Sequence, residues 1–192
     1  MLKRVCIVLF FSGFFFSSPA QFDTLFVKTN IQACADSLAT AFKSKNWELF
    51  TRYSYPALIG SIGGKKEFIE YVSKTFMQIP DPAVKKYEPG KILQVIKTSR
   101  DFQTVIEFNS VIELQGMRIT TTSYMIGESW DGGLFWTFFD SQSDVLAATQ
   151  IKPDLNEQLR IPKKNEKVVS LDSLPVSFPV NNKSPANTKN KH

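Results

Sequence analysis

The chain has 192 residues, 43% hydrophobic and 13% aromatic, which suffices for a sizeable core and excludes wholesale disorder. Two cysteines exclude a multi-bridge disulfide framework. Lys plus Arg number 23 against 18 Asp plus Glu, a formal charge of +5 with a pI near 9.1, which raises the question of an anionic partner.

Lys3 and Arg4 open the chain as a basic segment, residues 5–16 are mostly apolar, and Ser17, Ser18, Pro19 and Ala20 supply small residues. This is the layout of a secretory signal peptide, with cleavage expected between Ala20 and Gln21 and a periplasmic or extracellular product. The apolar run is shorter than the ~18 residues a membrane span needs, and no later segment is apolar enough to span. Cleavage removes Cys6 and leaves Cys34, which falls on an apolar helical face and reads as a small buried hydrophobe.

Residues 24–44 carry apolar side chains at 27, 31, 34, 35, 38, 41 and 42, the spacing of an amphipathic helix. Asn46 is a suitable N-cap for a second helix over 47–53. Residues 56–64 read as a loop or short turn anchored by Leu58, Ile59 and Ile62. Gly63 and Gly64 precede a third helix, in which Glu67 is placed to reach back to free backbone donors. Its buried stripe is Phe68, Val72, Phe76 and Ile79, and Pro80 and Pro82 end it.

The period then changes to that of strands. Residues 92–97, 104–114, 117–129 and 134–140 read as four strands, with turns at 99–101, Gln115-Gly116 and Asp131-Gly132-Gly133. Helices first and an antiparallel meander after them predict an α+β fold. Residues 144–150 suit one or two helical turns. Residues 152–192 are rich in Pro and Lys and are expected to form a largely disordered tail. The expected organisation is a signal peptide at 1–20, a domain at 21–151 and this tail.

Several of these features together resemble the nuclear transport factor 2-like superfamily, the cystatin-like α+β cone. They are Asn46-Trp47 after the first helix, Tyr55-Pro56 with Gly63-Gly64-Lys65 before the third, and the closing Asp131-Gly132-Gly133 and Trp136-Thr137-Phe138 hairpin. The likeness covers about residues 24–150. It implies a curved four-stranded sheet wrapped on three N-terminal helices around a cone-shaped cavity. In such a cone a small apolar or amphipathic ligand is expected near Trp47, Phe50, Tyr53, Phe68, Val72, Phe108, Tyr124 and Trp136. Thr120, Thr121, Thr122 and Ser123, with Arg118, Tyr124 and Met125, give the third strand mixed faces, and the outer sheet face is a common dimer surface in that superfamily. Residues 129–136 also look like the Asp-box hairpin of sialidase-type propellers, with Phe135 in place of the usual Thr. A propeller needs several such hairpins, so this one is read as a local turn, with the Asp131 carboxylate on turn amides and Trp136 packed behind it.

Catalytic chemistry finds few residues. The single histidine, His192, lies on the tail, so the domain holds no Ser–His or Cys–His nucleophile pair and no His/Cys zinc site. No metal and no cofactor is expected. Glu107, Glu113, Glu128 and Asp140 are the candidate acids for an acid/base enzyme, with Tyr124 as a donor; such a reading needs one of them buried in the cavity. Gly63-Gly64-Lys65-Lys66 lacks the register of a P-loop and reads as a turn with two solvated lysines.

The expected function is an exported, non-enzymatic protein that binds a small ligand in the cone. A homodimerising scaffold with a filled cone is one alternative, and an enzyme using a buried carboxylate is another. Residues 152–192 hold 8 basic and 4 acidic groups, while 21–151 hold 13 and 14. The basic pI therefore belongs to the two ends of the chain, and no nucleic-acid groove is implied.

Overall fold

The computed structural model describes residues 23–171. Four helices lead: α1 (Thr24–Lys43), α2 (Trp47–Tyr53), α3 (Pro56–Ser61) and α4 (Lys65–Phe76). An antiparallel sheet follows from β1 (Val84–Lys97), β2 (Phe102–Leu114), β3 (Met117–Ser129) and β4 (Thr137–Asp140), then α5 (Val145–Ile151) and β5 (Asn165–Ser170). The fold is α+β, as the change of period predicts.

Capping side chains set the starts of the first two helices. Asp23 Oδ1 accepts from the N–H groups of Leu25 at 2.9 Å and Phe26 at 3.0 Å, and Asn46 Oδ1 accepts from Leu49 N at 3.0 Å. One face of α1 is buried, through Val27, Ile31, Cys34, Ala35, Leu38, Ala39, Ala41 and Phe42. Fully burying a Val, Leu or Ile side chain is worth about 1.5–3 kcal/mol, so this face holds the helix more than intrinsic propensity does.

Residues 56–61 are a helix, where a loop or short turn was expected. Pro56 stands at its first position, where a missing N–H costs nothing. Four helices rather than three therefore precede the sheet. Gly64 begins α4 without a side-chain cap: Glu67 makes no capping bond and instead lies along Gly63.

The strand order is β1-β2-β3-β4, and β5 pairs with β3. β4 takes residues 125–128 of β3 and β5 takes residues 117–122, so the two lie end to end along one edge. Gln115 (φ 52°) and Gly116 (φ 75°) form a two-residue turn between β2 and β3, the geometry that matches strand twist. β1 begins at Val84 rather than 92 and accommodates Pro89 through register shifts against β2. β4 begins at Thr137 rather than 134, because the preceding residues wind around Asp131.

Each face of the sheet carries a buried core. Phe102, Ile106 and Phe108 of β2, Met125 of β3 and Phe138 of β4 join Trp136 and α1 in one core. Val105, Ile126 and Phe139 belong to a second core with Tyr55, Ala148 and Leu159. The tail expected from residue 152 is not a tail over residues 152–171. Lys152 and Leu159 are buried, Arg160 N donates to Gln94 Oε1 at 2.6 Å, and β5 completes a fifth strand. The expected boundary at 151 thus cuts a continuous structure. The targeting segment at 1–20 and residues 172–192 lie outside the described residues.

Candidate functional site

The eight residues expected around a cone cavity are distributed over more than one place. Trp47, Phe50 and Phe108 belong to one aromatic assembly, joined through Phe42, Phe76 and Tyr87. Ring centroids there are 4.3–6.3 Å apart, the spacing of directly packed rings. Tyr53 stacks on Phe135 at 5.3 Å, and Trp136 is fully buried with its Nε1 donating to Gly133 O at 3.1 Å. Phe68 and Val72 are the buried residues of α4. Tyr124 lies on the opposite face of the sheet, half-buried against the second core.

Of the candidate acids, Glu128 is buried. Glu107 is half-buried and accepts from Asn109 Nδ2 at 2.9 Å, and Glu113 pairs with Arg118 and Lys85. Asp140 is exposed at the end of β4 and accepts from Gln142 N at 2.7 Å. Glu128 faces Gln103 across the β2–β3 pair, on the second face of the sheet.

There Lys152, directly after α5, brings a cation into the interior. Its Nζ contacts Glu128 Oε1 and lies 2.9 Å from both Asp101 Oδ2 and Asp154 Oδ1. The side chains of Lys152, Asp101 and Glu128 are 0%, 1% and 1% exposed, whereas that of Asp154 is 40% exposed. Gln103 Nε2 donates to both oxygens of Asp101 and to Asp154 O, while its Oε1 accepts from Asn156 N. Thr98 Oγ1 donates to Asp101 Oδ1 at 2.5 Å, and Trp130 Nε1 to Glu128 Oε2 at 2.6 Å. The rings of Tyr55 and Trp130 lie 5.9 and 5.6 Å from Nζ.

This arrangement separates the two buried acids. Burial works to raise both carboxyl groups. At Asp101 the bonds from Lys152, Thr98, Glu128 and Gln103 outweigh it and hold the group well below the usual carboxylate range. At Glu128 burial prevails, aided by the facing Asp101 carboxyl, and the group stays above its ordinary value. Burial acts to lower the Lys152 ammonium, but its hydrogen bonds to Asp101, Glu128 and Asp154 raise it overall. Sequence reasoning flagged Glu128 as an acid, read Asp101 as a turn residue and placed Lys152 in the tail. Their meeting spans up to 51 positions, and no local period carries it.

A second feature is open to solvent. Asn46, Glu48, Leu49, Thr51 and Arg52 of the α2 region, Ile59 of α3 and Lys65 of α4 line a cleft of about 610 Å³. Lys65 pairs with Glu48 at 2.5 Å. The Arg52 guanidinium sits 5.6 Å from the Phe135 ring and 6.0 Å from that of Tyr53, and it forms no ion pair among the described residues. The cleft thus offers a cation that rests on two rings but has no ion-pair partner among the described residues, beside the apolar side chains of Leu49 and Ile59. Compared with protein-family models and with curated proteins, the chain matches none.

Proposed function

We propose that the protein is an exported, non-enzymatic α+β module of the nuclear transport factor 2-like kind that binds a small amphipathic anion. Support for the fold assignment comes from helices that precede an antiparallel meander and from bulges that bend its first strand. Support for the binding role comes from one observation: the α2–α3–α4 cleft combines Leu49 and Ile59 with the unpaired Arg52. Its volume falls within the range of small-molecule sites, and Leu49 and Ile59 give it an apolar wall among the polar residues Asn46, Glu48, Thr51 and Lys65. The ligand's anionic head would pair with Arg52, whose planar fork suits a carboxylate or sulfonate. Its apolar body would lie on Leu49 and Ile59. The aromatic residues of α2 then serve as the rigid floor that holds this face, rather than as the ligand's own contacts.

The test is a fluorescence titration with anilinonaphthalene sulfonate, followed by competition with a medium-chain fatty acid. One saturable site is expected. Arg52→Glu is expected to weaken it by about tenfold or more, the loss that follows from removing one charge-assisted hydrogen bond. Leu49→Asp should weaken it likewise. Unchanged titrations of both variants, or no saturable binding by the parent chain, would sink this reading.

A further inference from the structure

We propose that Lys152 and Glu128 become joined by an intramolecular isopeptide bond, with Asp101 as the proton carrier. The geometry that carries this is a fully buried lysine whose Nζ touches Glu128 Oε1 and lies 2.9 Å from Asp101 Oδ2, beneath the rings of Tyr55 and Trp130.

An ordinary buried ion pair matches one cation with one anion. Here one ammonium shares a closed site with two buried carboxyl groups, and Asp154 adds a third at the rim. The two buried carboxyls contact the same Nζ, and two ionised carboxylates held that close repel. The arrangement that satisfies the site is a proton on Glu128 and a charge on Asp101, which is the direction in which their surroundings push each group. The pocket therefore holds an amine source, a carboxylic acid and a carboxylate base in mutual contact.

The step balances without any further reagent. The Asp101 carboxylate takes one proton from the Lys152 ammonium across their 2.9 Å contact, an uphill transfer, because the same surroundings raise Lys152 and lower Asp101. The freed nitrogen lone pair forms a bond to Cδ of protonated Glu128, and the carbonyl electron pair moves onto oxygen. Trp130 Nε1, 2.6 Å from Glu128 Oε2, is a donor placed to stabilise that developing negative oxygen. Asp101 passes its proton to the departing hydroxyl, the C–O bond breaks, and water leaves. Asp101 then takes the surplus proton from nitrogen, which leaves a neutral amide and a protonated Asp101. Nothing is oxidised or reduced.

Two physical effects favour the product. Fixing the reacting groups in one place replaces a bimolecular encounter, and effective molarities for well-oriented groups reach roughly 10⁵ M or more. Condensation also removes a separated ammonium and carboxylate from a site shielded from water, where their desolvation is costly. The result ties the end of α5 to the C-terminal end of β3 by a covalent bond, in a domain whose single described cysteine, Cys34, is unbridged.

Mass spectrometry of the full chain decides the matter. The folded protein, purified and then denatured, is weighed against the mass its sequence requires from the N-terminus it is found to carry. The expected result is a deficit of one water, with fragmentation of a branched peptide that links Lys152 to Glu128. Lys152→Arg and Asp101→Ala, each checked for retained β-sheet by circular dichroism, should both have the full mass. A full-mass parent chain overturns the proposal, as does a missing water that maps to any other pair. Undiminished cross-linking in Asp101→Ala overturns the role given to Asp101.

Discussion

Asp131 illustrates how one carboxylate can shape a turn. Its Oδ1 accepts from Ser129 Oγ at 2.8 Å, from Phe135 N at 3.0 Å and from Leu134 N at 3.1 Å. Ser129 Oγ in turn accepts from Gly133 N, and Gly133 O receives Asn30 Nδ2 of α1 at 2.9 Å. The Ser-x-Asp spacing announces these local bonds, so this part of the chain is legible from sequence. Burial works to raise the Asp131 carboxyl, but the N–H of Phe135, the hydroxyl of Ser129 and the N–H of Leu134 outweigh it and hold it below its ordinary value. The sign follows from that direction. The carboxylate stabilises the fold above the unfolded-state pKa near 3.9, and this contribution is lost as pH falls through the lower folded value. Asp131→Ala should cost about 1–2 kcal/mol in urea unfolding at neutral pH, the range of a lost capping group. Asp131→Asn should cost less, and its deficit against the parent chain should narrow as pH is stepped down below about 4. A deficit that stays constant down to acid unfolding would show that the charge plays no part.

Among the elements, β3 bears the most constraints, because β2 pairs along one edge while β4 and β5 divide the other. Gly127 lies between Thr104 and Phe138 in the pairing register. A Cβ there would come 2.6 Å from Thr104 Cγ2 and 2.7 Å from Phe138 Cε1, so the ring occupies the space a side chain would need. Gly127→Ala should therefore destabilise by about 1–3 kcal/mol, the usual cost of overpacking a core, with the loss measured as a lower urea midpoint at unchanged slope. A neutral result would mean that β4 moves aside freely. Most elements are legible because their signals are local: Asp23 and Asn46 cap the helices they begin, and Gln115-Gly116 makes the hairpin it predicts. α3 is hidden because a Pro-to-Gly-Gly stretch looks like a loop, although Pro56 is well suited to a helical first turn. β5 is hidden because only Val168 and Val169 of its six residues are apolar, and its stability comes from pairing with β3 rather than from its own pattern.

At the scale of the molecule, α5 and residues 152–161 decide which surface is available. The second face of the sheet, part of which was expected as a dimer surface, is covered around Val105, Ile126 and Phe139 by Ala148 and Leu159 of the same chain. Elsewhere on that face Thr122 and Tyr124 are half-buried and Thr120 is exposed. The site around Lys152 depends on the same segment. It was not legible in the sequence because its acids and its cation lie on opposite sides of a compositional boundary, between an apolar domain and a Pro- and Lys-containing stretch. Composition describes the average of that stretch, whereas the buried positions among its described residues are Lys152 and Leu159. A chain shortened to end at Ile151 should therefore lose more than a tail. It would uncover the apolar second core and leave Asp101 and Glu128 buried without their cation, a loss that costs about 3–5 kcal/mol when one partner of a buried pair is removed. Loss of Leu159 adds a term of about 2–5 kcal/mol, by analogy with large-to-small core changes. Together these approach the whole stability of a typical domain. The shortened chain should unfold without a cooperative transition or self-associate in light scattering. A chain ending at Pro162 keeps both buried residues and should retain a cooperative urea transition. Equal stability of the two shortened chains would show that the cores close without this segment.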